Sequence, residues 1–152
     1  MVAAAGVLAG VVYYVLDMRN QARVRKTDLI VRITPWFNLG PKEFAETANI
    51  MMALTYKDYD DFVRKYGSLY SGKPEATVVR MLMNWAEGVG MLLKRNLIDV
   101  DIVFDAYGTI ASVLWEKVKP LVEGYRKENS DPQAWSFVEY LAKELEKRGQ
   151  QQ

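Results

Sequence analysis

The chain contains no cysteine and no histidine. Without cysteine there is no disulfide, no thiol nucleophile and no thiolate ligand for zinc. Without histidine the commonest general base and metal ligand is missing, and with it every Ser-His-Asp triad, His-rich zinc site and histidine-ligated haem. A di-iron helical bundle, which needs Glu-x-x-His motifs, falls on the same count. Net charge is scarce as well. Twenty basic against 19 acidic side chains leave +1, which indicates neither a strongly cationic nucleic-acid binder nor an acidic solvating tail. No alternating strand pattern and no repeat of fixed period appears. What the chain does have is apolar material: half of its 152 residues, enough for the core of one domain and too much for intrinsic disorder.

Charge is unevenly placed. Met1 to Leu16 reads MVAAAGVLAGVVYYVL, with no charged side chain, whereas Asp17 to Thr34 carries five positive and two negative residues. As a helix the apolar run spans about 24 Å, slightly short of the roughly 30 Å hydrocarbon core of a bilayer. Three readings compete. A cleaved signal peptide wants its basic residues before the apolar stretch, not after it. A buried core helix of a soluble protein has a compatible length. A single membrane span fits best, since Tyr13 and Tyr14 near its end and the basic residues beyond match an interfacial aromatic and positive-inside pattern. That orientation puts the carboxy-terminal domain in the cytoplasm.

Asp17 to Ile33 holds no Gly or Pro, so the helix is expected to continue to just before Pro35. Its membrane-flanking basic residues are Arg19, Arg23, Arg25 and Lys26. They suit contact with anionic lipid head groups and equally suit a solvated face that fixes topology. Ala22, Leu29, Val31 and Ile33 are expected to dock on the remainder. Pro35, Gly40 and Pro41 mark the only plausible boundary, which divides the chain into an anchor over 1–34, a helical domain over 35–149 and a frayed tail over 150–152.

Beyond that boundary the pattern is helical throughout. Pro41 opens a helix with Phe44, Ala48, Met51, Met52 and Tyr56 on its apolar side. A short helix follows, with an acidic amino end at Lys57-Asp58-Tyr59-Asp60-Asp61 and a stop at Gly67. Pro74 to Asn96 is the most apolar of the later helices: Val78, Leu82, Trp85, Val89 and Leu92 share one face, widened by Met81, Met91 and Leu93, which predicts a central position. Asp99 is a good N-cap for a helix carrying Ile102, Val103, Phe104, Tyr107, Ile110, Ala111, Leu114, Trp115, Val118 and Leu121, with a bend at Pro120. Ser130-Asp131-Pro132 predicts the start of a last helix, whose stripe is Trp135, Val138, Leu141 and Leu145. The fold expected is all-α: a long amino-terminal anchor helix followed by an antiparallel bundle of four to five helices.

Chemistry is harder to find. Asn84 and Glu87 interrupt the apolar run Asn84-Trp85-Ala86-Glu87-Gly88-Val89-Gly90 three residues apart, on one side of the helix. Gly88 and Gly90 weaken a helix interior and so suggest close approach by another backbone or a ligand. A small-ligand pocket around Asn84, Glu87 and Trp115 is one reading; a buried carboxylate pairing structurally beside glycines that admit a neighbouring helix is the other. Asp99, Asp101 and Asp105, and likewise Asp58, Asp60 and Asp61, lack the spacing of a calcium loop and read as caps and first-turn charges. Gly6 and Gly10 form a weak small-xxx-small pair. No catalytic residue, metal ligand or cofactor is assigned.

Lys26-Thr27-Asp28-Leu29-Ile30-Val31-Arg32, Lys57-Asp58-Tyr59-Asp60-Asp61-Phe62, Asn84 to Gly90, Leu93-Lys94-Arg95-Asn96-Leu97-Ile98-Asp99 and Trp115-Glu116-Lys117-Val118-Lys119-Pro120, behind an apolar first helix, resemble an uncharacterised family. Its members are short, single-span, membrane-anchored all-helical proteins of archaea and bacteria. The resemblance covers nearly the whole chain and implies an anchor and a helical cytoplasmic domain, with no activity to carry over. The Cys-free, His-free, Lys/Arg/Glu-rich composition suits a thermophilic archaeal source. The expected role is a membrane-anchored interaction or scaffolding module. It would meet lipid through its first helix and present its bundle to a protein partner or a second copy. The alternatives are a ligand-sensing or enzymatic bundle and a fully soluble bundle using residues 1–16 as a core helix.

Overall fold

A computed structural model of the chain describes residues 2–33 and 41–151; the side-chain environments described are those from residue 10 onward, without 23, 26, 27, 29–31, 33, 41 and 44. Six α-helices account for the ordered elements, and the described residues contain no strand: α1 (Val2–Ile33), α2 (Pro41–Ala53), α3 (Tyr59–Tyr66), α4 (Pro74–Lys94), α5 (Val100–Asn129) and α6 (Ser136–Gly149). The expected boundary residues 34–40 lie outside the described residues.

Local chemistry sets most of the ends. Pro41 and Pro74 stand at the first turns of α2 and α4, where a missing N–H costs nothing. The Asp58 carboxylate accepts from the amide of Asp61 at 2.8 Å to start α3, and Gly67 ends it with φ 79°. Asn96, at φ 56°, turns the chain after α4 while the Leu97 amide reaches back to the Leu92 carbonyl at 2.9 Å. Asp99 caps α5 through the Asp101 amide. The helix continues through Pro120 and ends at Ser130, in the left-handed region with φ 51°.

Helix α4 lies in the middle, against α2, α5, α6 and part of α1, as its broad apolar face predicts. Val78, Leu82, Trp85, Val89, Leu92 and Leu93 are buried. At one end Arg148, late in α6, pairs with Asp101, early in α5. At the other, Arg126, late in α5, bonds Glu139 at 2.9 Å and the Ala134 carbonyl at 2.8 Å, so α5 and α6 run antiparallel. Helix α3 packs on α5, where the Tyr59 side chain fills the place a Cβ on Gly124 would take. The fully enclosed side chains Phe62, Met83, Val118, Leu121, Leu141 and Leu145 tie these layers into one core.

Four expectations are corrected. The last helix starts at Ser136, not at Ser130-Asp131-Pro132. Asp131 instead accepts from the Gln133 amide in a turn, and the chain passes through Trp135 at φ 58° before becoming helical. Met52 and Ile110, placed on buried stripes by periodicity, are exposed, at 71% and 44%. Tyr56 lies beyond the end of α2, and its hydroxyl donates to the Lys117 carbonyl at 2.6 Å. Of the residues expected to dock α1, Ala22 is exposed and Leu29, Val31 and Ile33 lie outside the described side chains.

Candidate functional site

The Asn84 to Gly90 segment sits at the crossing of α4 with α6. A Cβ on Gly90 would lie 2.1 Å from the Phe137 carbonyl oxygen, so this glycine is what lets the two backbones meet. Gly88, by contrast, faces open space, with nothing within 4 Å of its Cβ position. Glu87 lies half-buried beside the crossing. Its carboxylate accepts from the Val138 amide at 2.8 Å, with a further backbone bond to Phe137. These amides belong to the first turn of α6, which has no capping side chain of its own at Trp135. A carboxylate from α4 thus caps a helix 51 residues further along the chain.

Burial raises the Glu87 carboxyl above its ordinary range, while the two amide bonds and the nearby Arg126 charge pull the other way. Asn84 is exposed, and Trp115, on α5, is half-buried against the core. Neither is hydrogen-bonded to Glu87 among the described residues. Glu87 therefore acts here as a helix cap.

Four of the other acidic candidates have structural roles, while Asp60 and Asp105 are exposed. Asp58 and Asp99 are caps, and Asp101 pairs with Arg148. Asp61, 6% exposed, pairs with Arg64 and, at 2.9 Å, with Lys65, which holds its carboxyl below the usual range, and it also accepts the Lys57 amide. Among the described residues no three potential ligating side chains gather in a metal-binding cluster. On α1, Arg19 and Arg25 are exposed, Arg23 and Lys26 lie outside the described side chains, and Arg32 pairs with Asp28 at 2.7 Å.

A concave feature lies elsewhere among the described residues. A cleft of about 250 Å³ opens between α2, α4 and α5, lined by Thr47, Ala48, Met51, Met52, Leu82, Thr109, Ile110, Val113 and Leu114. Sequence reasoning missed it. Its signal was present, because Met52 and Ile110, the two apolar-stripe residues found exposed, are both on its wall. Lys117, which is not part of the cleft lining, follows Val113 and Leu114 by one turn of α5. Its ammonium donates to the carbonyls of Met51 at 2.8 Å, Leu54 at 3.3 Å and Met52 at 3.5 Å, closing the carboxy end of α2.

Comparison with curated proteins and with solved structures finds no match. The family model described as "Domain of unknown function (DUF4760)" matches residues 1–145. The match spans nearly the whole chain, through all but the last few residues of α6, and the protein belongs to this family of unknown function.

Proposed function

We propose that the protein is a membrane-tethered interaction module: the amino half of α1 crosses the bilayer, the basic flank holds the cytoplasmic side, and α2 to α6 present an antiparallel bundle to a protein partner or a second copy. The observation that carries this reading is the state of α1. Every described side chain from Gly10 to Ala22 is exposed, including Val11, Val12, Tyr13, Tyr14, Val15 and Leu16. Exposed apolar surface on this scale marks a site covered by something else. The charges begin immediately after it, at Asp17 and Arg19, and Arg25 and Arg32 are likewise solvent-facing. Among the described residues no helix is long and apolar enough to cross a membrane; the apolar run has its first nine residues outside the described side chains. The motif resemblance to short single-span proteins of archaea and bacteria points the same way.

Carbonate extraction of native membranes tests the tether, alongside a chain shortened to begin at Thr27. The full chain is expected in the membrane pellet and the shortened one in the supernatant, helical and folded. A full chain released by carbonate overturns the tether. A shortened chain that fails to fold assigns α1 to the core.

A further inference from the structure

We propose that one row of α1, formed by Val12, Val15, Arg19, Arg23 and Lys26, is a seat for a phospholipid of net negative charge, its acyl chain along the valines and its phosphate among the cations. This names a lipid partner for the membrane-tether reading and rests on it.

The row follows from helical register. Counted from Val12, these residues fall at i, i+3, i+7, i+11 and i+14, which keeps them on one side of the helix. Val12, Val15 and Arg19 are exposed. Asp17 and Asp28, the acids of this helix, lie about half a turn away, together with Gln21 and Arg32. Each acid has a partner on its own side: the Gln21 amide donates to Asp17 at 2.8 Å, and Arg32 donates to Asp28 at 2.7 Å. Arg25 belongs to that side as well. Charge is therefore segregated around the axis, and no acid stands on the row to neutralise its three cations.

Depth and order select a lipid. With the hydrocarbon edge at Leu16, Arg19, Arg23 and Lys26 stand about 4.5, 10.5 and 15 Å further along the axis. The head-group layer is about 5–8 Å thick and the Debye length at physiological salt is about 8 Å. Arg19 then lies in that layer, Arg23 within a Debye length of it and Lys26 at the limit of its reach. Along the row the chemistry runs from aliphatic to cationic, the order of acyl chain and phosphate in one phospholipid. A nucleic acid or an acidic peptide would use the cations and leave the valines uncovered. Phosphatidylcholine carries its own cation beside the phosphate, whereas an acidic phospholipid leaves its negative charge to the row, and a guanidinium grips phosphate through two N–H groups at once. A flank that only fixed topology would need no such segregation, since the positive-inside rule counts Lys and Arg whichever way they face.

The test is native mass spectrometry of the full chain ejected from nanodiscs of equal phosphatidylglycerol and phosphatidylcholine, scoring the lipids that stay bound. Phosphatidylglycerol is expected in excess. Arg19→Gln should lower that preference about fivefold, the worth of one cation near the surface. Arg19→Gln combined with Gln21→Arg keeps the net charge and nearly the depth but moves the cation to the acid side, one turn from Asp17, and should lose as much as Arg19→Gln alone. Arg25→Gln, which removes a cation from the acid side, should change the preference by less than about twofold. Lipids retained in the supplied ratio, a charge-moving variant that binds like wild type, or an equal loss from Arg25→Gln would each overturn the lipid seat. In those cases the chain is in the disc and the tether stands, whereas a chain that enters no disc removes both.

Discussion

Helices α1 and α4 are both rich in apolar side chains, yet α4 is surrounded by other helices while every described side chain of α1 from residue 10 to residue 22 is exposed. Their difference lies in pattern more than in hydrophobicity. In α4 the apolar residues are interrupted by Glu75, Arg80, Asn84, Glu87 and Lys94, which mark where the helix meets water or a cap. In α1 residues 2–16 form one uninterrupted apolar block, and every charge of the helix comes after it. A helix with a face can choose its neighbours, whereas one that is apolar all round requires an apolar surrounding.

The sharpest way to break this comparison is to delete the same side chain in both regions. Leu93→Ala on the buried face of α4 is expected to cost about 2–5 kcal/mol, whereas Leu16→Ala should stay within about 0.5 kcal/mol, by chemical denaturation of the full chain. Comparable losses at both sites would place α1 in the core. Gly90→Ala comes next: its methyl would strike the Phe137 backbone and cost about 3 kcal/mol, at the upper end of overpacking effects, by forcing α6 away from α4.

Glu87 gives a middle-sized effect with a pH signature. Glu87→Ala removes the cap of α6, a loss of about 1–2 kcal/mol. Because its folded carboxyl holds a proton more tightly than an unfolded one, the stability it contributes is greatest below the ordinary glutamate range, around 4.5, and is lost as pH rises through the raised value. Glu87→Gln, which mimics the protonated acid, should therefore gain on wild type as pH rises through that window. Glu139, held low by Lys143 and Arg126, has the opposite sign: its contribution is present above the ordinary range and lost in acid. Melting curves of wild type and Glu87→Gln between pH 4 and pH 7 separate the two, and parallel curves would discard the assignment. Smallest is Gly88→Ala, which meets no atom and should stabilise α4 by about 0.5–1 kcal/mol, read as a raised melting temperature.

That Gly88 and Gly90 part company shows how far sequence reasoning reached. Both break helix propensity, but only a tertiary contact distinguishes a required glycine from a tolerated one. The helices α2 to α5, their proline and aspartate starts and the central place of α4 were legible because each depends on neighbours in sequence. The start of α6 was not, since Ser130-Asp131-Pro132 carries a local start signal while the cap that defines the helix comes from Glu87. The candidate site was less legible still. Glu87 drew notice as a polar residue on an apolar face but is used by the fold, and the cleft arises where Met52 and Ile110 keep helical spacing without gaining a neighbour. Periodicity says which way a side chain faces along its own helix and is silent on whether another helix arrives there.

The bond from Glu87 to the Val138 amide also has a consequence in time. During synthesis α4 is complete before the segment of α6 has left the ribosome, and α6, at 14 residues, is short for a helix that must form alone in water. Its first turn gains its acceptor when it docks on α4, so assembly and the choice of where to begin are one event. The Val138 amide should then exchange its hydrogen with the global opening of the domain rather than with local fraying, because the formation of α6 and its docking on α4 are coupled.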